Sequence, residues 1–200
     1  MANTQATFGF RHIGYLGGGS PDYQLSTGLI ASANTTKIFR GDPVIRNAST
    51  GKIEQAAAGT TTIAGIFDGC MYTPDAQSPP QWRPYWPGAG AVSDPIAYII
   101  DAPNAIFMAA ALNTSIVTAN IGENVNFAIG TGNTANGFSG ATVDQSTLNT
   151  TNTLPFRVIA PVTSSGNYGQ VGNGNDPSSA YGWCVVAFNN QNFKQLTGLA

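Results

Sequence analysis

Charge is scarce in this chain. Aspartate, glutamate, lysine and arginine together make up 9% of its 200 residues, and the formal net charge is −2. Binding a polyanion requires clustered Lys and Arg to displace phosphate counterions. The eight basic residues lie scattered from Arg11 to Lys194, which excludes a nucleic-acid partner. Histidine is scarcer still, with His12 alone, so a base-assisted nucleophile has one candidate base. His12 sits between Arg11 and Ile13 in a strand-like run, where a polar residue at the surface or between subunits is the expected reading. Cysteine is limited to Cys70 and Cys184, far apart in sequence, and the expectation is two buried thiols rather than a disulfide. With one histidine they offer three donors at most, which excludes a four-ligand zinc site.

Other absences narrow the function further. Asn173 to Asp176 supplies one carboxylate, too few for calcium, and no carboxylate pair has the setting of a glycosidase. Gly17 to Gly19 is followed by Ser-Pro, so it is no phosphate loop, and Gly137-Phe-Ser-Gly-Ala lacks the last glycine of a nucleophile elbow. The most apolar stretch, Ile96 to Leu112, is broken by Asp101, Pro103 and Asn104, so no membrane partner is expected. Met1 to Thr7 has neither the basic nor the apolar region of a secretory signal, which predicts a protein made in the cytoplasm that leaves it only within a larger particle. Without a secretory route the Asn-x-Ser/Thr matches at Asn34, Asn47, Asn113 and Asn149 mean only that loops are rich in Asn and Thr. The expectation is a non-enzyme with no catalytic, metal or cofactor site, and with no cleft where ionisable side chains converge.

Small-residue β sequence is what remains. Hydrophobic residues at 42% are enough for a folded core, and a chain of this length buries about 70% of its unfolded surface. Helical periodicity is nearly absent, and short apolar runs recur between turn residues, which predicts an all-β barrel or sandwich with long loops. Phe8 to Leu16 and Tyr23 to Ala31 read as the first two strands. Pro43 to Arg46 and Lys52 to Ala56 form a hairpin across Asn47-Ala-Ser-Thr-Gly51, with Gly51 supplying a positive φ. Thr61 to Tyr72 reads as one long strand, with Ile63, Gly65, Phe67 and Gly69 on one face and Ile66 and Cys70 on the other. Its glycines call for a ring or backbone close above them, in a tight barrel or a subunit contact.

Ile96 to Ile100 and Ala105 to Ala110 are strands joined by the turn Asp101-Ala-Pro-Asn104, and Val125 to Gly130 is another. Asn136-Gly137 marks a tight turn, and the last two strands are Pro155 to Ala160 and Gly182 to Phe188. Thr73 to Gly90 reads as an extended proline-rich loop, and Ser164 to Ser179 as a long Gly/Asn/Ser loop. Aromatic residues concentrate at Trp82, Tyr85 and Trp86. They could anchor a protein partner, stack on sugar rings, or cap a barrel end, and the missing acids nearby disfavour sugar.

The order of several short segments resembles the head decoration, or cement, proteins of tailed bacteriophages. These segments are Phe-Arg-Gly-Asp-Pro-Val from Phe39, Thr-Gly-Lys-Ile from Thr50, and Ile-Ala-Gly-Ile-Phe-Asp-Gly-Cys-Met-Tyr from Ile63. Tyr85 to Gly88, Ala97 to Pro103, Gly137 to Gly140 and Leu154 to Val158 resemble recurrent stretches in structural proteins of podovirus heads, the ending Cys184 to Gln191 resembles their closing strand, and the resemblance spans about Thr7 to Gln191. It implies a β-tulip or barrel with an N-terminal arm and first strands over residues 1–36 and a β-rich decoration domain over 37–200. It also implies a homotrimer on the capsid exterior that binds the major capsid protein and bridges capsomers, with no catalytic residues. Contact with shell or neighbour is expected from Phe8, Phe10 and Arg11 of the arm, which could equally be an ordinary first strand, and from Trp82, Tyr85 and Trp86. The alternative is a receptor- or glycan-binding module of a tail or fibre, with the Trp82–Trp86 loop as its platform.

Overall fold

The computed structural model describes residues 3, 5, 8–22, 24–162 and 179–194, so most of the 164–179 loop, the Asn173–Asp176 segment and most of the first seven residues lie outside the described residues. The chain is all-β. One antiparallel sheet, A, runs in the order β1 (Arg11–Tyr15), β10 (Ala105–Ala110), β14 (Trp183–Phe188), β13 (Phe156–Pro161), β11 (Asn124–Ala128), β12 (Thr142–Asn149). The second, B, runs β2 (Ser26–Leu29), β9 (Ile96–Ile100), β6 (Gly65–Tyr72), β4 (Pro43–Arg46), β5 (Ile53–Gln55), with β7 (Gln81–Arg83) paired to the far half of β6. A two-stranded ribbon joins β3 (Ile38–Phe39) to β8 (Tyr85–Trp86).

Alternation of side chains along the strands sorts the core into layers. Phe107 and Ala109 of β10, Val125 and Phe127 of β11, and Cys184, Val186 and Phe188 of β14 face Ile66 and Ile100 of sheet B in the main cluster between the sheets. A second cluster fills the opposite face of sheet B, where the ribbon covers it with Ile38 and Trp86. Ile106, Met108, Val185 and Ala187 line the outer face of sheet A. One parallel bridge, Ala111 to Val143, brings β12 back beside the end of β10, and the sheets pack face to face with no closed barrel.

Turn chemistry fixes several corners. The Asn47 carboxamide oxygen accepts from Ser49 N (3.0 Å) and Thr50 N (3.1 Å), and Gly51 closes the β4–β5 hairpin at φ 68°. The Asp101–Asn104 turn carries the chain from β9 in sheet B to β10 in sheet A, so these consecutive strands are not partners. β1 pairs with β10 and β2 with β9, so the described part of residues 1–36 gives one strand to each sheet. Two strands, β7 and β8, lie within the segment expected to be a loop, and β12 is a strand that its polar sequence does not announce.

A buried acid holds the corner between β3 and β4. Asp42 is 1% exposed, and its carboxylate accepts from Phe39 N (2.8 Å), Gln55 Nε2 (2.7 Å) and Ser139 Oγ. Burial pushes its pKa up from the usual carboxylate range while these three donors pull the other way. Ser139 also accepts from Ala141 N (2.8 Å), so this hub ties the loop after β11 to the β3–β4 corner.

Candidate functional site

The long strand does not keep a single alternation. Between Phe67, opposite Ile99, and Gly69, opposite Tyr98, the extra residue Asp68 forms a bulge, and the faces exchange there. Ile66 therefore points into the core between the sheets, while Cys70 joins Phe67 on the opposite face, correcting the expectation that Ile66 and Cys70 share a side. Beyond the bulge, Met71 lies on the face that Ile66 occupies before it.

That face continues past the edge of sheet A as an exposed apolar row. Register pairs Leu29 with Ile96, Ile96 with Met71, and Met71 with Trp82, so four neighbouring strands each place one apolar side chain in line. Leu29 is 47% exposed, Ile96 40% and Trp82 50%, with Met71 half-buried. Tyr98, half-buried, stands beside the row opposite Gly69. No charged residue interrupts it. Large exposed apolar side chains scattered singly are ordinary; four in register across one sheet are the kind of patch that partners cover.

The expected contact residues separate into three groups. Trp82 belongs to the row. Trp86 is 0% exposed, donates its indole N–H to Asn34 O (3.1 Å), and packs edge-on to Tyr72, so it is a core residue and offers no surface. Tyr85 is half-buried and stacked on Phe39 at 5.3 Å. Trp86 packs within the second cluster, whereas Tyr85 and Phe39 stack on each other outside it. Phe10 is 2% exposed and stacks on Phe156 at 4.5 Å within the main core, and Phe8 meets Trp183 edge-on at 5.5 Å. The segment from Phe8 to Tyr15 is thus packed as a first strand of the sandwich, with Arg11 exposed at its start.

A cleft of about 500 Å³ adjoins the row where β1 meets the β6 bulge. Its apolar walls include Phe8, Phe10, Ile66, Ile100 and Phe138. Arg11, His12, Arg40, Asp68 and Asn136 also line it, so ionisable side chains do converge here, contrary to expectation. Ile66 and Ile100, on the floor of the cleft, pair in register on the same two strands that carry Met71 and Ile96 of the row further along.

His12 is 6% exposed rather than on the surface, and its Nε2 lies 3.0 Å from Gly14 O. Burial lowers its pKa below 6.5, opposed by the Gly14 carbonyl and by the charges of Asp22 and Asp68. Arg40 Nε donates to Asp68 Oδ1 at 2.8 Å. The Arg40 backbone is clamped to the 137–139 loop by Arg40 N to Gly137 O (3.0 Å) and Ser139 N to Arg40 O (2.9 Å). Arg11 pairs in register with Met108 of the outer face, so its guanidinium is directed away from the cleft floor. Among the described residues that line the cleft there is no serine, threonine, cysteine or lysine.

The two cysteines are both buried, one in each major cluster, and burial pushes each thiol up to about 12. Among the described residues no group of three or more His, Cys, Asp or Glu is placed to hold a metal ion.

No protein-family model, curated protein or solved structure matches the chain.

Proposed function

We propose that the chain is a structural, non-enzymatic protein that binds the outside of a tailed-phage capsid and bridges neighbouring capsomers, working as a homotrimer. The observation that carries this reading is the row Leu29–Ile96–Met71–Trp82, an uncharged apolar strip left open on an otherwise packed sheet. The ordered segments resembling cement proteins direct it to the capsid. A neutral surface suits such a role, because docking by apolar contact and main-chain hydrogen bonds depends little on salt, and weak contacts multiply across an oligomer. Purified protein is expected to attach to expanded heads at a fixed ratio and to raise their resistance to heat. Recovery with tails alone would overturn it.

Trp82 favours a second reading. Its half-exposed ring is the most exposed of the expected aromatic platform, as a glycan contact in a tail or fibre requires. Loss of adsorption to cells by Trp82→Ala, with head docking unchanged, would favour that reading over the capsid.

A further inference from the structure

The cleft beside the row has polar groups that the fold leaves unspent. Arg40 uses Nε on Asp68, and its two terminal nitrogens make no hydrogen bond among the described residues. The Asn136 oxygen accepts from Phe138 N (3.0 Å), which leaves its amide N–H groups as the free end. Both groups are donors. Around them stand Phe8 and Phe138, the latter 37% exposed, over the apolar floor of Ile66 and Ile100. The volume lies within the range of sites that enclose a ligand, and a pocket of apolar walls with few convergent donors selects an apolar group carrying an acceptor.

We infer that the cleft receives an acidic peptide segment of the docking partner, an aromatic residue followed by a glutamate or aspartate, with the ring against Phe138 and Phe8 and the carboxylate on the end of Arg40. A guanidinium whose terminal edge is open binds a carboxylate through paired N–H donors, and such charge-assisted bonds are about twice as strong as neutral ones. The inference rests on the proposed docking role, since it names the partner chemistry that the surface beside the row would meet.

The test titrates two blocked dipeptides, acetyl-Phe-Glu-amide and acetyl-Phe-Gln-amide, into the full chain and follows amide shifts by NMR. The acidic peptide is expected to saturate with a dissociation constant of about a millimolar or tighter, at least about tenfold below its neutral counterpart. Arg40→Gln should reduce that preference to less than about twofold, and Asp68→Asn, which frees the guanidinium further, should keep or enlarge it. Failure of the acidic peptide to saturate, equal affinity for the two peptides, or an undiminished preference in a folded Arg40→Gln variant would each overturn the inference. Head docking measured on the same variants separates the two ideas. Docking without peptide selectivity overturns only the cleft assignment, whereas selectivity in a chain that never docks overturns the capsid role.

Discussion

A β-carbon placed on Gly69 would stand 2.7 Å from Cζ2 of Trp82 and 2.9 Å from the carbonyl oxygen of Arg83. The glycine lets the indole lie flat across β6, and so sets the end of the exposed row. Gly69→Ala is expected to lift the ring and strain β7, because a backbone carbonyl cannot yield as a side chain can. The expected cost is about 1–3 kcal/mol. Urea unfolding measures it, and an unchanged midpoint would show that the ring does not depend on this glycine.

The two tryptophans of the aromatic segment should behave oppositely. Trp86→Ala empties a fully buried site and is expected to cost about 3–5 kcal/mol. Trp82→Ala removes a half-exposed ring and should cost about 1 kcal/mol while weakening docking. Thermal unfolding of the two variants in parallel checks the contrast.

Both thiols should be silent in the native protein. Cys70 and Cys184 are fully buried, with thiols pushed up to about 12, so the reactive thiolate is nearly absent at pH 8. A chromogenic disulfide reagent is expected to label neither before denaturation and both afterwards. Rapid labelling of one site in the native state would contradict its placement in the core.

Acid should weaken the fold through His12. Its folded pKa lies below the unfolded 6.5, so between those values the unfolded chain binds more protons. The stability that neutral His12 contributes is fully present above 6.5 and is lost as pH falls from there to the folded value. His12→Gln should flatten the decline in melting temperature between about pH 7 and pH 5. An identical slope in the variant would remove His12 as the cause.

Local chemistry made part of this fold legible. The bounds of β9 and β10 follow from Asp101-Ala-Pro-Asn104 between two apolar runs, and the β4–β5 hairpin follows from Asn47 and Gly51. The glycines of β6 did signal close approach, by Ile100 O over Gly65 and by the Trp82 ring over Gly69, and both approaches occur within the chain. What escaped was non-local. β12 is an edge strand whose exposed positions are filled by polar residues, so Thr142–Asn149 reads as loop. The Asp68 bulge reverses the faces of β6 without a sequence mark, which hid the alignment of Met71 with Ile96 and Trp82. The cleft joins Arg40 to Asp68 across 28 positions, and the hub beneath it joins Asp42 to Ser139 across 97, separations at which no spacing rule operates. Trp82 and Trp86 could not be told apart by composition; only their register decides which is core.

Co-sedimentation with expanded, undecorated phage heads tests the docking role most directly, comparing the native chain with an Ile96→Asp, Trp82→Ser double variant shown to be folded. The native chain should pellet with heads at a fixed, salt-tolerant ratio while the variant stays in solution. A native chain that remains in the supernatant, or a variant that pellets equally well, would contradict the assignment of this row as the surface that meets the capsid.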